Sequence, residues 1–437
     1  MASNQEGRQA SFRSIGGNAG SYNEDALVAF QAEGATSNNY NEAFIQWLQS
    51  RNSSSKTNIN DLKAEFALAN GFNRWDEVNT IAPSSWVAKR EAISIEMSPA
   101  AESESSRSQT LSSSFDTSLS VPFFHWYSGG ATITDDLDDN YLRLTLDDAT
   151  TVTATRGKVS TSNIKVQGEI VEFSSAIVKA VFHDTVTVST TNTSAVSSSV
   201  NATKANCVAV CLGWSTDDTA DNYDEVHTTL SITGSDGAVT VTATRNNAAT
   251  TTISTTASFA IIEFQSGVTV QEELITMTGG NLSSSNAITA VDLSKAMSFW
   301  GGWQTDQSGI TYDAALCRAF VNSTTQVNAA RGDSTGTASI VITVVETANA
   351  PTSIERDTAS AMGDADTTTA ITLGTTLTNR DNAFLSWLGC SMTDTIDMQP
   401  NRHYFSPSIA NTTTVNLDRE VAVSGLNLTT SYEVIQD

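Results

Sequence analysis

Between Cys207 and Phe264 the chain lays out an order of apolar and polar positions that the rest of it repeats. An apolar run, Cys207-Val208-Ala209-Val210-Cys211-Leu212, closes on Gly213-Trp214 and gives way to the acidic loop Ser215-Thr216-Asp217-Asp218. From Val239 to Arg245 apolar and polar side chains then alternate, as in a half-buried strand. A second apolar run, Ala260-Ile261-Ile262-Glu263-Phe264, ends the unit.

The same order occurs three more times. Upstream, Phe123-Phe124-His125-Trp126 precedes Val152 to Arg156 and then Ile170-Val171-Glu172-Phe173. Downstream, Phe299-Trp300-Gly301-Gly302-Trp303 precedes Val327 to Arg331 and Val344-Val345-Glu346, and the last copy reads Phe384 to Trp387, Val415 to Arg419, Tyr432-Glu433-Val434. Arg156, Arg245, Arg331 and Arg419 stand 89, 86 and 88 residues apart, a domain length and not a solenoid length. Short strands with turn signals every 8 to 12 residues or so indicate β-sandwich or jelly-roll-like domains. The expected fold class is therefore mainly β, with four tandem repeats of about 88 residues. Their expected bounds are 91–176, 177–267, 268–348 and 349–437, joined by short links.

The N-terminus is patterned differently. Residues 1–15 are polar and form an expected flexible arm. Over 16–90 a shorter motif recurs: Ser21-Tyr22-Asn23-Glu24, Asn39-Tyr40-Asn41-Glu42 and Asn58-Ile59-Asn60-Asp61. Each fits a capping box, in which a Ser or Asn oxygen accepts from the helix start and an acid three residues on reaches back. Apolar residues follow at helical spacing, so helices are expected over about 22–33, 40–51 and 59–71. They would pack around Phe30, Phe44, Trp47, Phe66, Phe72 and Trp75. Such a module either caps the first β domain against edge pairing or anchors the chain to a partner. For the second role Tyr22, Tyr40, Trp47, Phe72 and Trp75 are the candidate partner-binding residues.

Charge narrows the function. With 23 basic against 48 acidic residues the formal net charge is −25, which opposes a phosphate backbone and argues against direct nucleic-acid binding. No run approaches the length of a membrane-spanning helix, and Met1 to Gly7 lacks a secretory apolar region, so synthesis in the cytoplasm without a membrane span is expected. Cys207, Cys211, Cys317 and Cys390 do not recur at equivalent places and read as small buried hydrophobes rather than a disulfide framework.

Each unit ends its first apolar strand on a Trp, which seals a core or, if exposed, offers a platform for a sugar ring. Tyr127 and Trp303 are supernumerary aromatics there. With Asp217, Asp218 and Asp306 of the following loops they are the candidate surface-recognition residues. Those acidic loops have the oxygen content that calcium requires, but their spacing differs between copies and no EF-hand pattern occurs. The repeated arginine is expected to pair with the repeated Glu172, Glu263, Glu346 or Glu433, and Arg331-Gly332-Asp333 falls on that turn by chance. The four histidines do not repeat, and no nucleophile or metal-ligand motif is present. No catalytic residue, cofactor or metal is expected.

The Tyr-Asn-Glu motifs, Gly34-Ala35-Thr36-Ser37-Asn38 between them and Gly71-Phe72-Asn73-Arg74-Trp75 after them resemble a small module of tailed-bacteriophage structural proteins. That resemblance spans about residues 15–80 and implies a virion component, made in the host cytoplasm, with β-rich domains displayed on the particle. Two readings follow. In the first, the chain is a non-enzymatic head accessory, neck, tail or fibre protein, bound to other virion proteins and to its own copies. In the second it is a carbohydrate-binding adhesin for a host surface glycan, using the Trp and acidic loops with fourfold avidity.

Overall fold

A computed structural model describes residues 86–98, 103–127, 137–217, 223–247, 253–307, 312–347, 350–362, 366–393, 405–419 and 427–436. All of these belong to Ser85–Asp437, the second of two compact units in the chain. The expected arm and helices, with Tyr22, Tyr40, Trp47, Phe72 and Trp75, lie outside the described residues.

The described fold is mainly β, in several antiparallel sheets. Its strands fall into four successive sets of six. The first holds β1 (Val87–Met97), β2 (Glu104–Thr110), β3 (Ser120–Tyr127), β4 (Leu142–Asp148), β5 (Thr151–Ser160) and β6 (Ile164–Phe173). Next come β7 (Val178–Val188), β8 (Ser194–Val196), β9 (Cys207–Thr216), β10 (Thr229–Ser235), β11 (Ala238–Thr244) and β12 (Thr255–Phe264). The third set is β13 (Thr269–Met277), β14 (Ser283–Ala287), β15 (Ala296–Thr305), β16 (Cys317–Ser323), β17 (Gln326–Arg331) and β18 (Ala338–Glu346). The fourth is β19 (Ser353–Met362), β20 (Thr368–Thr372), β21 (Ala383–Thr393), β22 (Ser406–Asn411), β23 (Thr414–Asp418) and β24 (Asn427–Gln436).

In every set the first, sixth and third strands pair in that order, as do the second, fifth and fourth. The fourth strand then pairs with the third strand of the next set, through Arg143 and Gly213, Thr229 and Gly302, and Arg318 and Gly389. Three six-stranded sheets therefore each draw three strands from one set and three from the next, while β1-β6-β3 and β20-β23-β22 remain three-stranded at the chain's two ends.

Those ends meet. β22 packs on β3, and the third strands touch in cyclic order, β3 on β9, β9 on β15, β15 on β21 and β21 on β3. The register makes Ser406 the counterpart of Arg143 and Arg318, and Gln167 the counterpart of Ser258 and Ser431. The Arg143 guanidinium donates to Ser258 Oγ at 3.2 Å, Arg318 to Ser431 Oγ at 3.1 Å, and Ser406 Oγ bonds the Gln167 amide oxygen. The same two places thus close the ring between the fourth and first sets without a covalent link.

The axis of this ring is its core. Trp126 lies 5.4 Å from Trp387, 5.1 Å from Trp303 and 6.4 Å from Trp214 between ring centroids. A second layer stacks Phe123 on Phe384 at 5.5 Å and sets it 6.3 Å from Phe299. One continuous apolar cluster runs from Trp86 to Ile435. The Trp that ends each unit's first apolar strand would set Trp126, Trp214 and Trp387 at one place of the repeat, but they stand at three different places. Each axial strand carries a bulge, and across it Trp214 matches Tyr127, Trp303 and Cys390, whereas Trp387 matches Phe124, Cys211 and Trp300. Trp126 occupies the bulge itself, where the other sets have Gly213, Gly302 and Gly389.

Candidate functional site

Tyr127 and Trp303, expected as recognition aromatics, are 0% exposed. Both belong to axial strands whose two faces are covered, so neither presents a ring to solvent. The Tyr127 hydroxyl donates to Leu142 O at 2.9 Å and accepts from Leu142 N at the same distance. The acidic residues after those strands serve the backbone: Asp217 accepts from Ser254 N, and Asp306 accepts from Thr337 N at 2.7 Å and from the Gln307 amide at 2.9 Å. Each ties the end of an axial strand to the chain entering the sixth strand of its set. Asp218 lies outside the described residues.

The repeated arginines do not pair with the repeated glutamates. All four are buried, and their guanidinium groups collect carbonyls. Arg245 donates to Asn192, Glu225, Ser189 and Thr190 oxygens at 2.8–3.1 Å. Arg331 reaches Asn281, Thr335, Thr278, Ser334 and Gly336, and Arg156 and Arg419 take carbonyls of the corresponding loops. A planar five-donor fork suits a loop that leaves several carbonyls pointing at one spot. Burial also withdraws Arg331 from any integrin-like role of Arg331-Gly332-Asp333. The glutamates bind elsewhere: Glu172, Glu263 and Glu346 accept from the amides of Asp116, Thr203 and Asp292, just before the axial strands. Glu433 is not their fourth copy, because Gln436 holds that register place and Glu433 matches Glu169.

Glu169 and Glu433 reach between sets. Glu433 accepts from Ser298 N at 2.6 Å and Ser298 Oγ at 3.0 Å. Glu169 accepts from Leu385 N, the same place one set on, while His125 Nε2 lies 2.9 Å from Leu385 O. Arg90 forms the ion pair with Glu169, and Arg356 that with Glu433. At the junction of the first and second sets the corresponding residues are Ala260 and Pro122. Proline has no N–H to satisfy, so no acid is needed. Burial lowers the basicity of His125 and His183, and drives His227 down to about 3. It pushes the Cys207 and Cys317 thiols up to about 12, as expected of buried, unreactive cysteines.

The four junctions alternate in construction. Between the first and second sets His183, on β7, places Nε2 2.9 Å from Ser120 O. Between the third and fourth, Arg356 on β19 donates to Leu293 O at 2.8 Å and to Ala296 O. The remaining two junctions keep clefts in the same place. One, of about 440 Å³, is lined by Lys204, Ala205, Cys207, Ile232, Asp236, Val270 and Glu272. The other, of about 330 Å³, includes Arg380, Asp381, Ile409, Arg90 and Ala92, the register counterparts of Lys204, Ala205, Ile232, Val270 and Glu272, together with Glu91, His125 and Glu169. Carboxylates outnumber basic groups by one in each. Sequence reading missed both clefts, since their walls come from different sets and share no spacing.

Among the described residues no three His, Cys, Asp or Glu side chains converge as a metal site, and no helix is long and apolar enough to cross a membrane. No protein-family model matches the chain, and comparison with curated proteins returns no relative.

Proposed function

We propose that the chain is a non-enzymatic structural component of a bacteriophage virion, held in the particle by its N-terminal module and displaying its β body. On this reading the four strand sets are copies of one β-sandwich or jelly-roll-like unit, and the module is the three-helix anchor read from the Tyr-Asn-Glu motifs. The observation that carries the reading is the closure of residues 85–437 into a single unit around one core. A body that buries its axial strands within itself leaves attachment to the rest of the chain. The whole chain's −25 formal charge favours solubility when many copies of it and other virion proteins crowd together. The adhesin reading loses its aromatic platforms, because the repeat tryptophans are at most 3% exposed.

Mass spectrometry of purified particles tests the proposal, paired with a truncated chain of residues 86–437. The full chain is expected in the particle at stoichiometric level, and the truncated chain is expected to fold but stay out. Incorporation of the truncated chain would move attachment to the β body. Absence of the full chain from particles would sink the virion reading.

A further inference from the structure

Where one set meets the next, a residue of the fourth strand faces a residue of the following axial strand. Antiparallel pairing of Arg143 with Gly213, Thr229 with Gly302 and Arg318 with Gly389 sets the adjoining residues against each other: Leu142 against Trp214, Thr228 against Trp303 and Cys317 against Cys390. At the closing junction the counterparts are Phe405 and Tyr127. Three of the four axial places thus hold a Trp or Tyr, and only between the third and fourth sets does cysteine face cysteine. Both thiols are free and fully buried in the common core. Directly opposed residues of antiparallel strands keep their Cα atoms about 4.5–5.5 Å apart, within the roughly 4.4–6.8 Å that a disulfide spans. Burial pushes both thiols up, and Cys317 raises Cys390 further, as neighbouring thiols do.

We infer that Cys317 and Cys390 are a disulfide site, reduced in this structure, whose bond staples the third set to the fourth. Joining the two thiols releases two protons and two electrons, and the oxidant that takes them is a small-molecule disulfide such as oxidised glutathione. The thiolate of one cysteine attacks that disulfide and displaces one glutathione. The second cysteine then attacks the mixed disulfide and displaces the other, so one S–S bond forms in the chain as one is broken, and both protons leave on glutathione thiols. A thiol pushed up by burial is a poor nucleophile, so exchange waits for the junction to open, during folding or by local unfolding. Closure then brings the two sulfurs together. Cross-linking strands so far apart in the chain restricts the unfolded state and stabilises the folded one. Cys207 and Cys211 have no such partner, since both lie on β9. The inference concerns the β body alone and holds whether or not the chain is a virion component.

The test holds the full chain with reduced and oxidised glutathione in urea just below its unfolding transition, where junctions open and close. The chain is then unfolded in excess iodoacetamide and analysed by intact mass and peptide mapping. Alkylation of Cys207 and Cys211 alone is expected, with the Cys317 and Cys390 peptides joined by a bond that dithiothreitol breaks. The bonded chain should melt at a higher temperature than the reduced one. Cys390→Ser and Cys317→Ser keep the side-chain size, so each should stay folded, form no intrachain bond, and melt alike with and without oxidised glutathione. Alkylation of all four cysteines, a bond that involves Cys207 or Cys211, or a bonded chain that melts below the reduced one would each overturn the assignment.

Discussion

Trp126 stands in its strand where Gly389 stands in the fourth set, and both carry positive φ, +80° and +100°. In the three junctions with glycine at this place, the preceding set comes close enough to form a main-chain bridge. A Cβ at Gly213, Gly302 or Gly389 would lie 2.4, 2.3 or 2.3 Å from a carbonyl oxygen of that neighbour. At position 126 the Cβ exists, so β22 stays off the β3 backbone and side chains make the contact. The indole fills the axis in return. A bulky residue held at positive φ is strained by about 1–2 kcal/mol, and three tryptophans packed around it hold it there.

From this follows a graded series. Gly213→Ala and Gly389→Ala should lose about 2–4 kcal/mol, because the neighbouring carbonyl is backbone and cannot step aside. Gly267, at φ +93 with nothing within 4 Å of its Cβ, is the control: Gly267→Ala should lose only about 1 kcal/mol. Urea unfolding measures all three, and equal losses would mean that φ alone, not the close approach, requires glycine in the axial strands.

The buried arginines make a second case. Arg331→Met removes the donor to five carbonyls while keeping much of the side-chain volume, and each carbonyl left dry costs about 1–3 kcal/mol. Water reaches some of them, so a net loss of about 3 kcal/mol is expected. Arg331→Lys should recover little, since one ammonium cannot serve a fork-shaped set of acceptors. Full recovery with Lys, read in the unfolding midpoint, would reduce the arginine's role to its charge.

Acid should weaken the body through His227. Folding holds this imidazole at about 3 against an ordinary value of 6.5, so the unfolded chain takes a proton that the folded one refuses. The contribution is complete above pH 6.5 and shrinks as pH falls towards 3, at about 1.4 kcal/mol per unit. His125 and His183 act in the same direction. Asp224, raised by burial, acts in the opposite one, losing its contribution as pH rises. Comparing variants cancels these. His227→Phe keeps a ring beside Tyr223, Trp214 and Trp303 and should flatten the stability difference between pH 7 and pH 4 by about 3 kcal/mol. An unchanged difference would place the acid sensitivity elsewhere.

How far the sequence disclosed this fold is clearest at particular residues. Alternation from Val239 to Thr244 marked β11, and the apolar run from Cys207 marked β9, because local burial writes itself as local period. The bulge of the axial strands was invisible. It shifts register by the residues that carry the motif, so sequence order sets Trp126 beside Trp214, whereas the register partner of Trp214 is Tyr127, one place on. The pairing of Glu169 with Leu385 spans 216 residues and follows only from ring closure. Tyr127 and Trp303 looked supernumerary for a related reason. One set has no room for so many rings, but four sets meeting on an axis do.

Ring closure also makes the order of the chain dispensable. Gln436 at the end of the last set pairs with Ser353, and Val87 at the start of the first pairs with Phe173, so each set begins beside its own sixth strand. Successive sets are joined by short links from Phe173 to Val178, Phe264 to Thr269 and Glu346 to Ser353. The fourth and first sets meet through Ser406 and Gln167, counterparts of the residues that meet at covalent junctions. A permuted body is therefore expected to fold when Gln436 is joined to Trp86 by a flexible linker of about six residues and the chain is opened at Gly267, where even an added Cβ would meet nothing within 4 Å. Its melting should stay a single cooperative transition, because the core belongs to all four sets, and Trp214→Ala should lower that transition as a whole by about 3–5 kcal/mol. Two separate transitions, or failure to fold, would mean that the contact between β22 and β3 is incidental and that the four sets form a row and not a ring.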